Sequence, residues 1–155
     1  MFKRTLLFIL VQVSITVAAP PSREPVNLDA LKHEIRTYVS SGKYAEDLAT
    51  AAGEARSWIE QRAAQRAPGE RLAVVFDLDE TLLSNWPFMV EEDFGGTDAA
   101  WDAWFMKAQA PAIEPVRAVF HLARKLGVEV CFITGRRERV RSGTEKNLQT
   151  IRSAS

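Results

Sequence analysis

The chain has 155 residues, a length that suits one ordinary domain with a true core. With 46% hydrophobic and 26% charged residues it is neither disordered nor fibrous. Twenty basic residues balance twenty acidic ones, so no charge excess supports a nucleic-acid partner. The opening stretch, MFKRTLLFILVQVSITVAAP, departs from this average: Lys3 and Arg4 precede a largely apolar run from Leu6 to Val17, and small residues follow. That is the layout of a secretory signal peptide, with a cut after Ala19 or Ala18. The run is short for a membrane span, which takes about 20 residues. Residues 1–19 are therefore expected to be removed, leaving no stable membrane anchor and a secreted or periplasmic protein. Cys131 is the only cysteine, so no internal disulfide forms. Within VEVCFITG it reads as a small buried hydrophobe.

After the proline-rich 20–26, Asn27 or Asp29 can cap a helix starting near Leu28, with Leu31, Ile35 and Tyr38 at helical spacing. SSGK breaks it, and a second helix is predicted over about 44–64, with Leu48, Ala52, Ala55, Trp58 and Ile59 on one face. RAPGE ends that helix, and 72–76 reads as a short buried strand. An aromatic-rich stretch follows at 84–112, irregular to about Thr97 and then helical over 98–108. Pro111 and Pro115 lead into a helix over 116–126 that Gly127 stops. A second buried strand is predicted at 128–133 and a last helix at 138–151. Strand, insertion, helix, strand and helix in this order make a β-α-β unit and a parallel sheet.

Asp77 and Asp79 lie at the carboxyl end of the first strand, and Thr134 and Gly135 at that of the second. In an open parallel sheet these ends face one crevice, where ligands bind. Two close carboxylates repel each other unless a cation or a proton sits between them. A hard Mg²⁺ suits such a site, since it takes one or two carboxylates, keeps waters and accepts phosphate oxygens. Thr81 and Thr134 add hydroxyl donors, and Gly135 leaves room for a phosphate. The residues together spell a magnesium and phosphate site with a carboxylate nucleophile available. Taken singly, an aspartate at a strand end is a turn cap and Thr-Gly an ordinary turn. The combination at matching strand ends carries the reading.

DLDET with LLSN after it, and TGRRE at the second strand end, resembles the haloacid dehalogenase superfamily. The likeness is greatest to its secreted acid phosphatases of subfamily IIIB, the class B and C-like group that includes the plant vegetative storage proteins. NLDALKHEIRTYVSSGKYAED, WIEQRA and WDAWFMKAQAPAIEPVRAVFHLARKLGVEVCFITGRRE share it, so it covers about 27–147. It implies an α/β, Rossmannoid parallel sheet flanked by helices, with a small helical cap inserted after the first strand. Residues 20–70 would form an N-terminal helical segment, and 71–155 a partial phosphatase core with its insertion at about 84–112. Carried over, Asp77 is the nucleophile that takes the phosphoryl group. Asp79 is the acid and base, Asp77 and the Asp79 backbone carbonyl hold Mg²⁺, and Thr81, Thr134 and Gly135 bind phosphate. The substrate class is a small phosphomonoester, with nucleotides among the candidates.

The sequence departs from the family after TEKNL, where QTIRSAS no longer resembles it. A lysine that bridges nucleophile and phosphate, and acidic residues that complete the metal shell, have no counterpart; Lys146 is not a substitute. A truncated chain with an exposed strand edge and weak or absent turnover is expected. The competing reading is a non-catalytic secreted protein, storage-like or phosphate-binding. A phosphotransfer receiver domain also uses an aspartate at a strand end, but the leader and the DxDxT spacing oppose it. Trp86, Trp101 and Trp104 could line a substrate pocket or simply hold the insertion together. Arg136 and Arg137 read more as solvated arginines than as phosphate ligands. His33 and His121 read as structural, and EEDFGG lacks the alternating ligands of a calcium loop.

Overall fold

The two apolar runs pair directly. In the computed structural model, which describes residues 25–153, β1 (Ala73–Asp77) and β2 (Glu129–Ile133) form a two-stranded parallel sheet. Val75 stands opposite Cys131, and Asp77 opposite Ile133. The helices are α1 (Leu28–Ser40), α2 (Lys43–Ala64), α3 (Trp86–Glu91), α4 (Asp98–Lys107), α5 (Glu114–Lys125) and α6 (Arg141–Ser153), the last entered through a 3₁₀ turn at Glu138–Val140. The expected leader lies outside the described residues. No helix among the described residues is long and apolar enough to cross a membrane.

Local chemistry explains most boundaries. The Asn27 side chain accepts from Ala30 N and caps α1, and Thr97 does the same for α4 through Ala100 N. Pro115 occupies the first turn of α5, where its missing N–H costs nothing. Gly127 leaves α5 at φ +65°. Arg66 at the end of α2 then donates Nη2 to the carbonyls of Leu126 and Gly127 at 3.1 and 3.2 Å. It supplies partners that the end of α5 would otherwise lack.

The core lies on one side of the sheet. Val119, Phe120 and Ala123 of α5 meet Phe76, Leu78, Leu82 and Leu83, with Ala52 and Ile59 of α2 behind them. Phe76 and Phe120 pack edge to face at 6.2 Å.

Several expectations are corrected. The strands are not buried on both faces: Val75 and Ile133 are 61% and 62% exposed, and Cys131 is exposed rather than a buried hydrophobe. Alternation puts these three on one face, and no described element covers it. Helix α1 buries none of its residues, Leu31, Ile35 and Tyr38 included. It is tied to the insertion by Lys32 and Arg36, which pair with Asp93. Trp58 of α2 is exposed, while Ile59 beside it is buried. The stretch read as irregular holds helix α3, with Pro87 in its first turn. The predicted last helix divides into the 3₁₀ turn and α6.

Candidate active site

Beyond Asp77 the chain turns sharply. The N–H groups of Leu82 and Leu83 donate to the Leu78 carbonyl at 3.0 and 2.8 Å, and Glu80 sits at φ +54°. Leu78, Leu82 and Leu83 are almost fully buried and anchor this loop. Ser84 N donates to Pro111 O and Ile113 N to Leu82 O, which fastens the loop to the entry of α5. The apolar residues of DLDETLL thus hold the turn, and the polar ones are left to face outward.

The two aspartates occupy different surroundings. Asp77 is exposed, and its carboxylate accepts from the Thr81 hydroxyl at 3.1 Å. No ion pair reaches it among the described residues. Asp79 is held by several donors. Arg136 donates to it through Nε at 3.1 and 3.2 Å and through Nη2 at 2.8 Å, Asn85 through Nδ2 at 2.8 Å, and the Thr134 hydroxyl at 3.4 Å.

Arg136 was the residue misjudged from sequence. It is not solvated: its side chain is 2% exposed and pairs with Asp79. Its guanidinium lies over the Phe105 ring at 4.1 Å, and its Nη1 donates to Thr144. A basic side chain one helical turn or less from a phosphate-type loop carries no sequence mark that separates a ligand from a structural partner. Arg136 thus brings a positive charge to Asp79 and not to Asp77. Arg137 is exposed and pairs with Asp98 of α4. Asn85 was not singled out either. It is buried and also accepts from Trp104 Nε1 at 2.8 Å. Its place three positions after Leu82, at the mouth of the insertion, was the available signal.

Thr134 follows β2, accepts from Arg136 N at 3.1 Å, and so closes a small turn facing Asp79. Gly135 is exposed and has open space where a Cβ would stand. It borders a shallow cleft of about 170 Å³ walled by Trp101, Phe105, Asp98 and Asp102. Thr81 contacts Asp77 and Thr134 contacts Asp79, two separate pairs at the carboxyl end of the sheet. The tryptophans mainly pack the insertion: Phe88 stacks on Trp104 and meets Trp101 edge-on, and Trp86 lies edge-on to Phe94. Glu80, between the aspartate pair and the insertion, has its carboxyl pushed up by burial, against hydrogen bonds from Asn85 N and Tyr44.

The residues present suit a divalent cation in a limited way. Asp77 offers an exposed carboxylate with no competing cation, whereas the side chain of Asp79 is committed to Arg136 and Asn85, leaving its backbone carbonyl. No cluster of three or more potential protein ligands occurs among the described residues. That donor set matches an ion which keeps waters and takes its remaining ligands from phosphate.

A family model described as HAD superfamily, subfamily IIIB (Acid phosphatase) matches residues 13–152. Acid phosphatase 1 of Solanum lycopersicum is 40% identical over 77 residues, 48% of this chain and 30% of the relative. A stem 31 kDa glycoprotein of Glycine max is 30% identical over 78 residues, 48% of this chain and 31% of the relative. The chain thus spans under a third of these relatives' lengths. Among solved structures, the class C acid phosphatase from Bacillus anthracis superposes with a TM-score of 0.65 at 24% identity, over 77% of this chain and 52% of that one. Its tungstate-bound form gives 0.67 at 23% identity, over 80% and 53%. At that identity the superposition speaks for the fold, and the matching parallel sheet and helices agree with it. The family model covers nearly the whole described chain, and the chain belongs to the HAD superfamily, subfamily IIIB, the acid phosphatases.

Proposed function

We propose that this protein hydrolyses small phosphate monoesters, with Asp77 as nucleophile and Asp79 as general acid and base. The observation that carries the reading is the contrast within DLDET. Asp77 is exposed and without a cationic partner, while Asp79, two residues on, is fixed by Arg136 and Asn85. A nucleophile must reach the phosphorus, and a proton donor must be held in place.

In the first step an Asp77 carboxylate oxygen bonds to phosphorus as the bond to the leaving oxygen breaks, and Asp79 gives that oxygen a proton. In the second, Asp79 takes a proton from water as the water oxygen attacks the aspartyl phosphate, releasing phosphate and restoring Asp77. The Thr81 and Thr134 hydroxyls and the Gly135 N–H are assigned to the phosphate oxygens. Mg²⁺ held by Asp77 and the Asp79 carbonyl would neutralise phosphate charge. Export by residues 1–19 accords with the leader-like sequence and with an acid phosphatase acting outside the cytoplasm.

Among the described residues no lysine pairs with Asp77 or Asp79, and the positive charge beside them, Arg136, is spent on Asp79. The same observation favours a second reading, a phosphate-binding protein without turnover. Hydrolysis of p-nitrophenyl phosphate with Mg²⁺ or with EDTA decides between them. Metal-dependent release that Asp77→Asn abolishes supports the enzyme. A folded chain that binds phosphate and releases no nitrophenol leaves the second reading standing.

A further inference from the structure

Trp104 and Phe105 are consecutive on α4, and each reaches Asp79 through one intermediary. Trp104 Nε1 donates to Asn85 Oδ1 at 2.8 Å, and Asn85 Nδ2 donates to Asp79 Oδ1 at 2.8 Å. On the other side Phe105 carries the Arg136 guanidinium, which forks onto Asp79 and also donates to Thr144. We propose that α4 is a two-armed clamp that fixes the Asp79 carboxylate in one orientation. In this role Trp104 and Phe105 are positioning residues for proton transfer. The functional part rests on the assignment of Asp79 as acid and base given above.

The chemistry of the donors makes each arm directional. An indole N–H can only donate, so Trp104 must take the oxygen end of the Asn85 amide. That leaves the NH₂ end for Asp79. Without the indole the buried amide could flip and set its oxygen against the carboxylate. Guanidinium geometry is planar and fixed, so laying it on Phe105 sets the plane in which the carboxylate must lie. The bonds are unequal. Oδ1 of Asp79 accepts at 2.8, 3.1 and 2.8 Å, whereas Oδ2 has contacts at 3.2 and 3.4 Å. Oδ1 is therefore the more firmly held oxygen of the carboxylate and Oδ2 the looser one. The clamp is braced from behind: at Gly143 of α6 a Cβ would stand 2.4 Å from the Phe105 carbonyl oxygen, so the two helices touch backbone to backbone.

The test uses the full chain labelled with ¹⁵N and reads the four tryptophan indole N–H resonances, one of which Trp104→Phe assigns. Asp79→Asn and Asn85→Ala should each move the Trp104 signal, and Phe105→Leu should move it less. Exposed Trp58 should not respond, and Trp58→Phe serves as control. A Trp104 resonance indifferent to both Asp79→Asn and Asn85→Ala overturns the clamp. This reading keeps Trp104 intact and does not depend on turnover. The second arm compares kcat/KM for p-nitrophenyl phosphate and a primary alkyl phosphate, whose leaving group needs the proton far more. Trp104→Phe and Phe105→Leu should lower the alkyl value roughly tenfold and the aryl value about twofold or less. An equal fall for both esters marks mere loosening of structure and overturns the positioning role. A wild type that hydrolyses neither ester sinks the phosphatase reading, and the clamp is then decided by the indole signal alone.

Discussion

Asp77 and Asp79 are separated by one residue, yet they belong to regions built on different terms. Asp79 faces the insertion, where every polar group near it is bonded and nearly every neighbour is buried: Arg136, Asn85, Trp104, Thr144. Asp77 ends a strand whose outward face stays open, with Val75, Cys131 and Ile133 exposed beside it. The difference teaches how one short motif can set two like side chains in opposite surroundings. The strand delivers a carboxylate to solvent, and the turn that follows folds the next one into a preformed set of donors. The identity of the side chain is the same; its surroundings decide whether it is available or restrained.

The sharpest way to break that comparison is to remove each carboxylate in turn. Asp79→Ala strands a buried arginine without its counter-charge and should cost about 3 kcal/mol. Asp77→Ala, at an exposed site with one hydroxyl contact, should change stability by less than about 0.5 kcal/mol. Urea unfolding measures both, and equal losses would mean that the two sites are not different in kind. Gly143→Ala comes next. Its methyl would stand 2.4 Å from Phe105 O and 2.6 Å from Met106 Cα, both backbone atoms that no rotamer change can relieve. Separating α4 from α6 should cost about 2 kcal/mol, the better helix propensity of alanine included. The same variant should weaken the Trp104 indole coupling, since the brace behind the clamp is gone.

Much of the open region was legible in the sequence, and much of the clamped one was not. AVVFD and EVCFI announce strands by composition, and their parallel pairing follows from the helix between them. The strand-end rule then places Asp77 and Thr134 together. What it could not give is burial of the strands: alternation assigns side chains to faces, but nothing local says whether a face is covered. Cys131 was misread for that reason. The clamp failed to show because its members are scattered, Asn85 and Trp104 in the insertion and Arg136 and Thr144 beyond β2. None forms a motif with the others along the chain. Their pairing is a property of how α4 lies against α6, and Gly143, the residue that permits it, lies in no motif.

Glu80 refines the comparison with a smaller effect. Burial raises its carboxyl, and the hydrogen bonds from Asn85 N and Tyr44 oppose that rise only in part. Folded Glu80 therefore holds its proton more tightly than the unfolded chain does. The stability it contributes is present below the ordinary glutamate range and is lost as pH rises through the raised folded value. Glu80→Gln should thus gain on the wild type as pH rises from the ordinary glutamate range through the raised folded value. Urea midpoints at the two ends measure this, and a constant gap between variant and wild type would show that the loop behind the clamp bears no such strain.

The smallest effect belongs to the open face. Cys131→Ser exchanges one exposed, unpaired side chain for another of similar size, so stability should shift by less than about 0.5 kcal/mol. The native chain should nonetheless titrate with a thiol reagent as one fully reactive cysteine without denaturant. A buried cysteine would react only after unfolding. If Cys131 proves protected in the monomer, something covers the Val75, Cys131 and Ile133 face in solution. The contrast between an open Asp77 side and a closed Asp79 side would then hold only for the two carboxylates and not for the regions around them. Ready reaction at unchanged stability places the boundary at the sheet itself, with the insertion closing one end of the site and the strand face leaving the other accessible.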